Sequence, residues 1–174
     1  MRNLYFLWYN EMRHKMRKNF FKILFMVFVI GWMGMIFYFS HQTGVQSSSM
    51  SSKITNKILH LFISSYDDLP LNEQTEIFKN ASFVIRKLAH YFEYAILGLL
   101  LFFAIYNFTN KRGIVFSLSI GIGVLYAISD EVHQSFIGGR APMVLDVFID
   151  SCGVLTMLLC IEIFLTIKNS VKKR

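Results

Sequence analysis

Four stretches of this chain are apolar for long enough to cross a membrane, and each turns polar at one end. The run 20–39 (FFKILFMVFVIGWMGMIFYF) has the roughly 20 residues that a spanning helix needs. It lacks a small-residue cleavage site and is expected to be a retained first helix. Further spans are predicted over 88–108, 114–132 and 144–167. The helix of the second span should begin earlier, near Leu71, because Pro70 suits a first turn and no breaker follows. Between the first two spans lies the one sizeable extramembrane piece, 40–82. It opens on a serine-rich stretch. Ile54, Ile58, Leu59, Phe62 and Ile63 then recur at helical spacing, as in an amphipathic helix lying on a membrane surface. Tyr66-Asp67-Asp68-Leu69-Pro70 reads as a turn. The fold class expected is all-α: an integral membrane bundle of four transmembrane helices.

Composition agrees with the pattern. The 174 residues are 54% hydrophobic and 16% aromatic, with a mean hydropathy of +0.44, more apolar than soluble domains of this size. The chain accommodates one domain over 20–167, between basic tails at 1–19 and 168–174. Its net charge of +7 does not point to nucleic acid, because the basic residues gather at the termini and one short loop. Arg2, Arg13, Lys15, Arg17, Lys18, Lys22, Lys111, Arg112 and the tail after Ile167 fall on one side. Lys53, Lys57, Lys79, Arg86, Lys87 and Arg140 fall on the other. This two-to-one bias makes the richer side, with both termini, cytoplasmic. The tails suit an anionic lipid surface. Cys152 and Cys160 would lie about 12 Å apart along one helix, too far for a disulfide.

Seven ionisable residues stand in or beside these apolar segments: Arg86, His90, Glu93, Asp130, Glu131, Asp146 and Asp150. Each costs about 2.5–3.5 kcal/mol at mid-membrane even on a lenient scale. Arg86, His90 and Glu93 are spaced i, i+4, i+7 and so share a helix face. Asp130, His133 and Gln134 close the third span, and Asp146 and Asp150 open the fourth. Ser40, His41 and Gln42 end the first, while Arg140 follows two glycines that allow a tight turn. With alternating topology, all four helices deliver polar groups to one outward-facing layer.

Three chemistries could use such a layer. Arg86 or Arg140 could grip a phosphate or carboxylate in a two-pronged fashion, with Ser40, Gln42 and Gln134 adding orientation. His-x-x-Glu and Asp-x-x-His could ligate a divalent metal. A carboxylate such as Glu93 or Asp150 could act as general acid beside a histidine base. Against all three stands simple helix pairing, since intramembrane carboxylates also hold helices together through Arg or His. The carboxylates outnumber nearby Arg86, Lys87 and Arg140, which calls for a proton, a metal or a cationic ligand. The residues leave the cofactor and the metal open. Glu162, in the inner half of the last span, reads as structural. The pairs Gly31/Gly34 and Gly121/Gly123 are expected to mark close helix packing.

The blocks Phe39-Ser40-His41-Gln42-Thr43-Gly44, Arg86-Lys87-Leu88-Ala89-His90-Tyr91-Phe92-Glu93-Tyr94, Ser129-Asp130-Glu131-Val132-His133-Gln134, Gly139-Arg140 and Asp146-Val147-Phe148-Ile149-Asp150 resemble the VanZ-like family of bacterial membrane proteins. The resemblance implies a small multi-span protein of the bacterial cytoplasmic membrane. The family's namesake is associated with low-level resistance to the glycopeptide teicoplanin. The family pattern carries over onto Ser40, Gln42, Arg86, Lys87, His90, Glu93, Tyr94, Asp130, Glu131, His133, Gln134, Arg140, Asp146 and Asp150. The chain departs from it at His41, where a small residue is expected, at Gly138 in place of proline, and at Met157 in place of a second glycine.

The function expected is an outward-facing polar pocket for an anionic lipid headgroup or a cell-envelope precursor. Arg86 and Arg140 would hold the anion; Ser40, Gln42, Gln134, Glu131, Asp146 and Asp150 would complete the pocket. His90, Glu93, Asp130 and His133 would position the ligand or exchange protons. The alternative is a membrane-embedded hydrolase or transferase, metal- or acid/base-assisted, acting on a lipid-linked substrate. A proton-coupled transporter fits less well, because the inner halves of the spans carry almost no ionisable groups.

Overall fold

The computed structural model describes residues 2–139 and 143–172. Every regular element among them is helical: α1 Arg2–Ser40, α2 Gly44–Phe62, a single 3-10 turn Tyr66–Asp68, α3 Leu71–Tyr106, α4 Arg112–Gln134 and α5 Val144–Lys172. Four of these, all but α2, are long and apolar enough to cross a membrane. Their outward faces carry Phe20, Ile23, Val27, Ile30, Leu125, Phe148 and Ile163, all exposed. Contiguous apolar surface on this scale suits lipid and not water. The chain is a multi-pass membrane protein.

α3 is the axis of the bundle and the one helix that packs against all the others. At 36 residues it runs about 54 Å, well beyond the hydrocarbon core of about 30 Å. Its second half packs on α1, α4 and α5 around Tyr94, Leu97, Leu101 and Phe102. Glycines set the closest approaches. Val154 of α5 lies against Gly98 of α3 and Gly123 of α4, where an added Cβ would come within 3.1 and 2.9 Å of it. At Gly153 a Cβ would stand 2.2 Å from the Tyr91 carbonyl oxygen. This arrangement corrects the glycine expectation. Gly31, Gly34 and Gly121 face nothing within 4 Å; Gly123 packs closely as expected, and Gly98 and Gly153 make the other tight helix contacts. Spacing along one helix does not say which face meets a neighbour.

Side-chain hydrogen bonds hook the middle of α1 onto the bundle. Trp32 Nε1 donates to the Glu93 carbonyl at 2.9 Å, and Tyr126 Oη donates to the Met33 carbonyl at 2.6 Å. The helix also extends through the basic tail to Arg2, well before the predicted span at 20.

The segment after α1 is helical, as its periodicity requires, but it begins at Gly44 and includes the serine run. α2 runs antiparallel along the first half of α3, where Ser82 Oγ meets Thr55 Oγ1 at 3.1 Å. Thr55 and Leu59 are buried there, while Ile54 and Phe62 of the expected stripe remain exposed. The turn between them is held by Tyr66, whose hydroxyl donates to the Gln74 carbonyl, and by Gln74 Nε2, which donates to the Leu69 carbonyl at 2.8 Å. Pro70 precedes the first turn of α3 with an extended backbone, as expected.

Candidate functional site

The polar ends of α1, α4 and α5 and the middle of α3 meet at one end of the bundle. Ser40 Oγ donates to Asp130 Oδ2 at 2.8 Å, and Gln134 Nε2 donates to the same oxygen at 3.0 Å. All three side chains are buried. Glu131, the next residue, turns to the loop and accepts the Met143 N–H at 2.9 Å, fixing the start of α5. Lys87 forms an ion pair with Asp146, with both side chains largely buried. His90 Nδ1 lies 3.7 Å from Glu93 Oε2, one turn away on α3. Beneath these, the Tyr94 hydroxyl, Asp130 Oδ1 and Asp150 Oδ1 are buried without a hydrogen-bond partner.

Two cavities open above this layer, between α2 and the rest. One, of about 210 Å³, is walled mainly by Phe39, Met50, Ile54, Ile85 and Ala89, with Gln42 and Glu93 at its edge. The other, of about 240 Å³, is walled by Lys87, Asp146, Gln134, Ser48 and the backbone of Gly44 and Gly139. Ser47, Arg86 and His90 line both. The floor of the second cavity depends on a close backbone contact. The Gly44 N–H donates to the Gly138 carbonyl at 3.3 Å, and a Cβ on Gly44 would lie 2.3 Å from the Gly139 carbonyl oxygen. Gly139 has φ +77°, which an L side chain rarely adopts. The loop therefore turns as its two glycines predicted.

The chain matches the model of the VanZ/LLP1 family over residues 25–165. It belongs to that family. No curated protein and no solved structure matches it.

In this VanZ/LLP1 chain the predicted polar residues divide into three groups. Arg86, His90, Glu93, Gln42, Gln134 and Asp146 line the cavities. Ser40, Asp130 and Glu131 lie behind them as buried hydrogen-bonding groups, and Asp150 is buried as well. His133 is apart from both. It stacks on Phe37 at 4.3 Å between ring centres and bonds His41 through Nδ1···Nε2 at 3.2 Å, on the outside of the α1–α4 contact. His90 and His133 thus have different surroundings. Arg140 lies outside the described residues.

Tyr94 entered the sequence reading through the resemblance alone, and Lys87 otherwise only as a positive charge near the carboxylates. Tyr94 stands four residues after His90 on the same face, a spacing that could have marked it. Nothing local marks Lys87 as the partner of Asp146, 59 residues away. Among the described residues no group of three or more His, Cys, Asp or Glu is placed to hold a metal ion. The carboxylates and histidines are spent on separate partners: Asp130 on Ser40 and Gln134, Glu131 on the loop, Asp146 on Lys87, His133 on His41. At the opposite end Arg112 pairs with Glu162, in keeping with a structural role for that carboxylate.

Proposed function

We propose that the cavities form an outward-facing pocket for the anionic headgroup of a lipid or of a lipid-linked cell-envelope precursor. Arg86 supports this reading most directly. Its guanidinium is half-buried at the junction of both cavities, yet it makes no ion pair or hydrogen bond among the described residues. Lys87, one residue on, is neutralised by Asp146. A partly desolvated guanidinium with no ion pair among the described residues favours a phosphate or carboxylate, which it can bind through two parallel N–H donors. The hydroxyls of Ser47 and Ser48 add neutral donors around that position.

The Lys and Arg distribution orients the pocket toward the extracytoplasmic face of the bacterial cytoplasmic membrane. A site there, engaging an outer-leaflet precursor, would account for a link to teicoplanin resistance through altering or shielding the antibiotic's target. The test is binding of a polyprenyl phosphate and of phosphatidylglycerol to the full chain in nanodiscs. Arg86→Gln should weaken both at least tenfold, and equal binding by wild type and variant would refute the reading.

The second reading is an acid/base hydrolase or transferase. His90 beside Glu93 on the cavity wall favours it, since a carboxylate can orient an imidazole as a base. In that case His90→Gln would abolish turnover of a lipid-linked phosphoester while leaving its binding intact.

A further inference from the structure

The two cavities differ in chemistry, and the difference specifies more of the ligand than its charge. The wall of one is mostly polar and that of the other mostly apolar, with Gln42, Ser47, Ser51 and Glu93 the polar groups beside it, and Arg86 lines both. The apolar cavity leads outward as well. Gln42 and Met50 also line a shallow groove of about 460 Å³ with Tyr38 and His41 at the end of α1. Tyr38 is 65% exposed on that rim, where an aromatic ring with a polar tip suits the membrane interface. The groove at the end of α1 and the slot between α2 and α3 thus share Gln42 and Met50, and Arg86 lines the slot.

We infer that the site takes an amphiphile and reads both of its parts: a phosphate or carboxylate at Arg86, and the hydrocarbon next to it in the slot bounded by α2. This inference rests on the headgroup reading above and adds the chain. The volume sets how much chain is read. A dry cavity of about 150 Å³ accommodates the six carbons of benzene. By proportion, 210 Å³ holds about eight carbons, the first part of an acyl or prenyl chain, and the remainder leaves past Tyr38 into the bilayer. The polar cavity, at 240 Å³, has room for one phosphate-sized group with a few waters, at about 30 Å³ per water. Met50 and Ile54 come from α2, so α2 is the element that recognises the chain.

The probes are hexadecyl phosphate and butyl phosphate, measured on the full chain in phosphatidylcholine nanodiscs with empty nanodiscs subtracted. Met50→Trp and Ala89→Trp fill the slot from α2 and from α3; both positions are partly exposed and leave the buried core untouched. Wild type should bind hexadecyl phosphate at least tenfold more tightly than butyl phosphate. Either tryptophan should remove that preference, with hexadecyl phosphate losing far more affinity than butyl phosphate. Arg86→Gln should weaken both probes. If the chain-length preference survives both tryptophans, or wild type shows none while Arg86→Gln still weakens both, the slot is overturned and the headgroup site stands. If Arg86→Gln changes neither probe, the headgroup site itself fails.

Discussion

Replacing Gly153 with alanine should separate α5 from α3 and disturb the site from a distance. A Cβ there would stand 2.2 Å from the Tyr91 carbonyl oxygen and 3.1 Å from the Ala95 nitrogen, all backbone atoms of a facing helix. Ordinary contact begins at 3.4 Å, so relief requires a retreat of about 1.2 Å. No side chain can rotate to absorb it. The next residue, Val154, is fully buried against Gly98 and Gly123. A gap of 0.5–1 Å around it forfeits about a quarter to a half of each contact's attraction. Over-packing costs about 1–3 kcal/mol, and the loosened valine brings the total to roughly 2–4 kcal/mol. Gly121→Ala is the control: nothing lies within 4 Å of its added methyl, and alanine favours a helix by up to about 1 kcal/mol. Unfolding free energies in dodecyl maltoside titrated with dodecyl sulfate would compare the two. The Lys87–Asp146 pair spans the same α3–α5 interface, so ligand binding should weaken in parallel. Equal stability of Gly153→Ala and wild type, to within about 0.5 kcal/mol, would show that the interface is looser than the geometry requires.

Other outcomes follow from particular contacts. The Arg112–Glu162 pair is one-quarter to one-third exposed, between the surface and buried cases, so Arg112→Gln should cost about 1–2 kcal/mol. Adding Glu162→Gln should recover part of that loss, and additive losses in the double-mutant cycle would exclude the coupling. Ser40→Ala removes a buried donor from Asp130 and should destabilise by about 1–3 kcal/mol, measured in the same titration; an unchanged midpoint would mean the hydroxyl is dispensable. His60 has both ring nitrogens facing acceptors, the Asn56 carbonyl and the Asp67 carboxylate. These raise its pKa above 6.5, so its contribution to the α2–α3 turn is complete below pH 6.5 and fades as pH rises through the raised value. Amide exchange of residues 56–68 should therefore be faster in His60→Gln than in wild type at pH 5.5, with the difference shrinking by pH 8. A difference independent of pH would refute the assignment.

Hydrophobic runs and loop charges determined much of this molecule without any tertiary information. A backbone in lipid must satisfy its own hydrogen bonds, so each apolar run of sufficient length had to be a helix. The spans near 20–39, 114–132 and 144–167 each fall within an observed helix, and 88–108 overruns the end of α3 by two residues. The helical spacing of Arg86, His90 and Glu93, and of Asp146 and Asp150, likewise placed those residues on common faces. Only the tertiary structure decided how they are partnered. Lys87 meets Asp146, Ser40 meets Asp130 and Arg112 meets Glu162 across 50–90 positions of sequence, and periodicity within one helix carries no information about its rotation against another. The same reason explains His133, which shares a helix end with Asp130 and Gln134 yet faces His41 on the outside. It also explains α2, whose apolar stripe is divided: Leu59 is buried beside Thr55 against α3, while Ile54 and Phe62 stay exposed. Local sequence sets which groups are available at a given depth; packing alone sets which of them face one another.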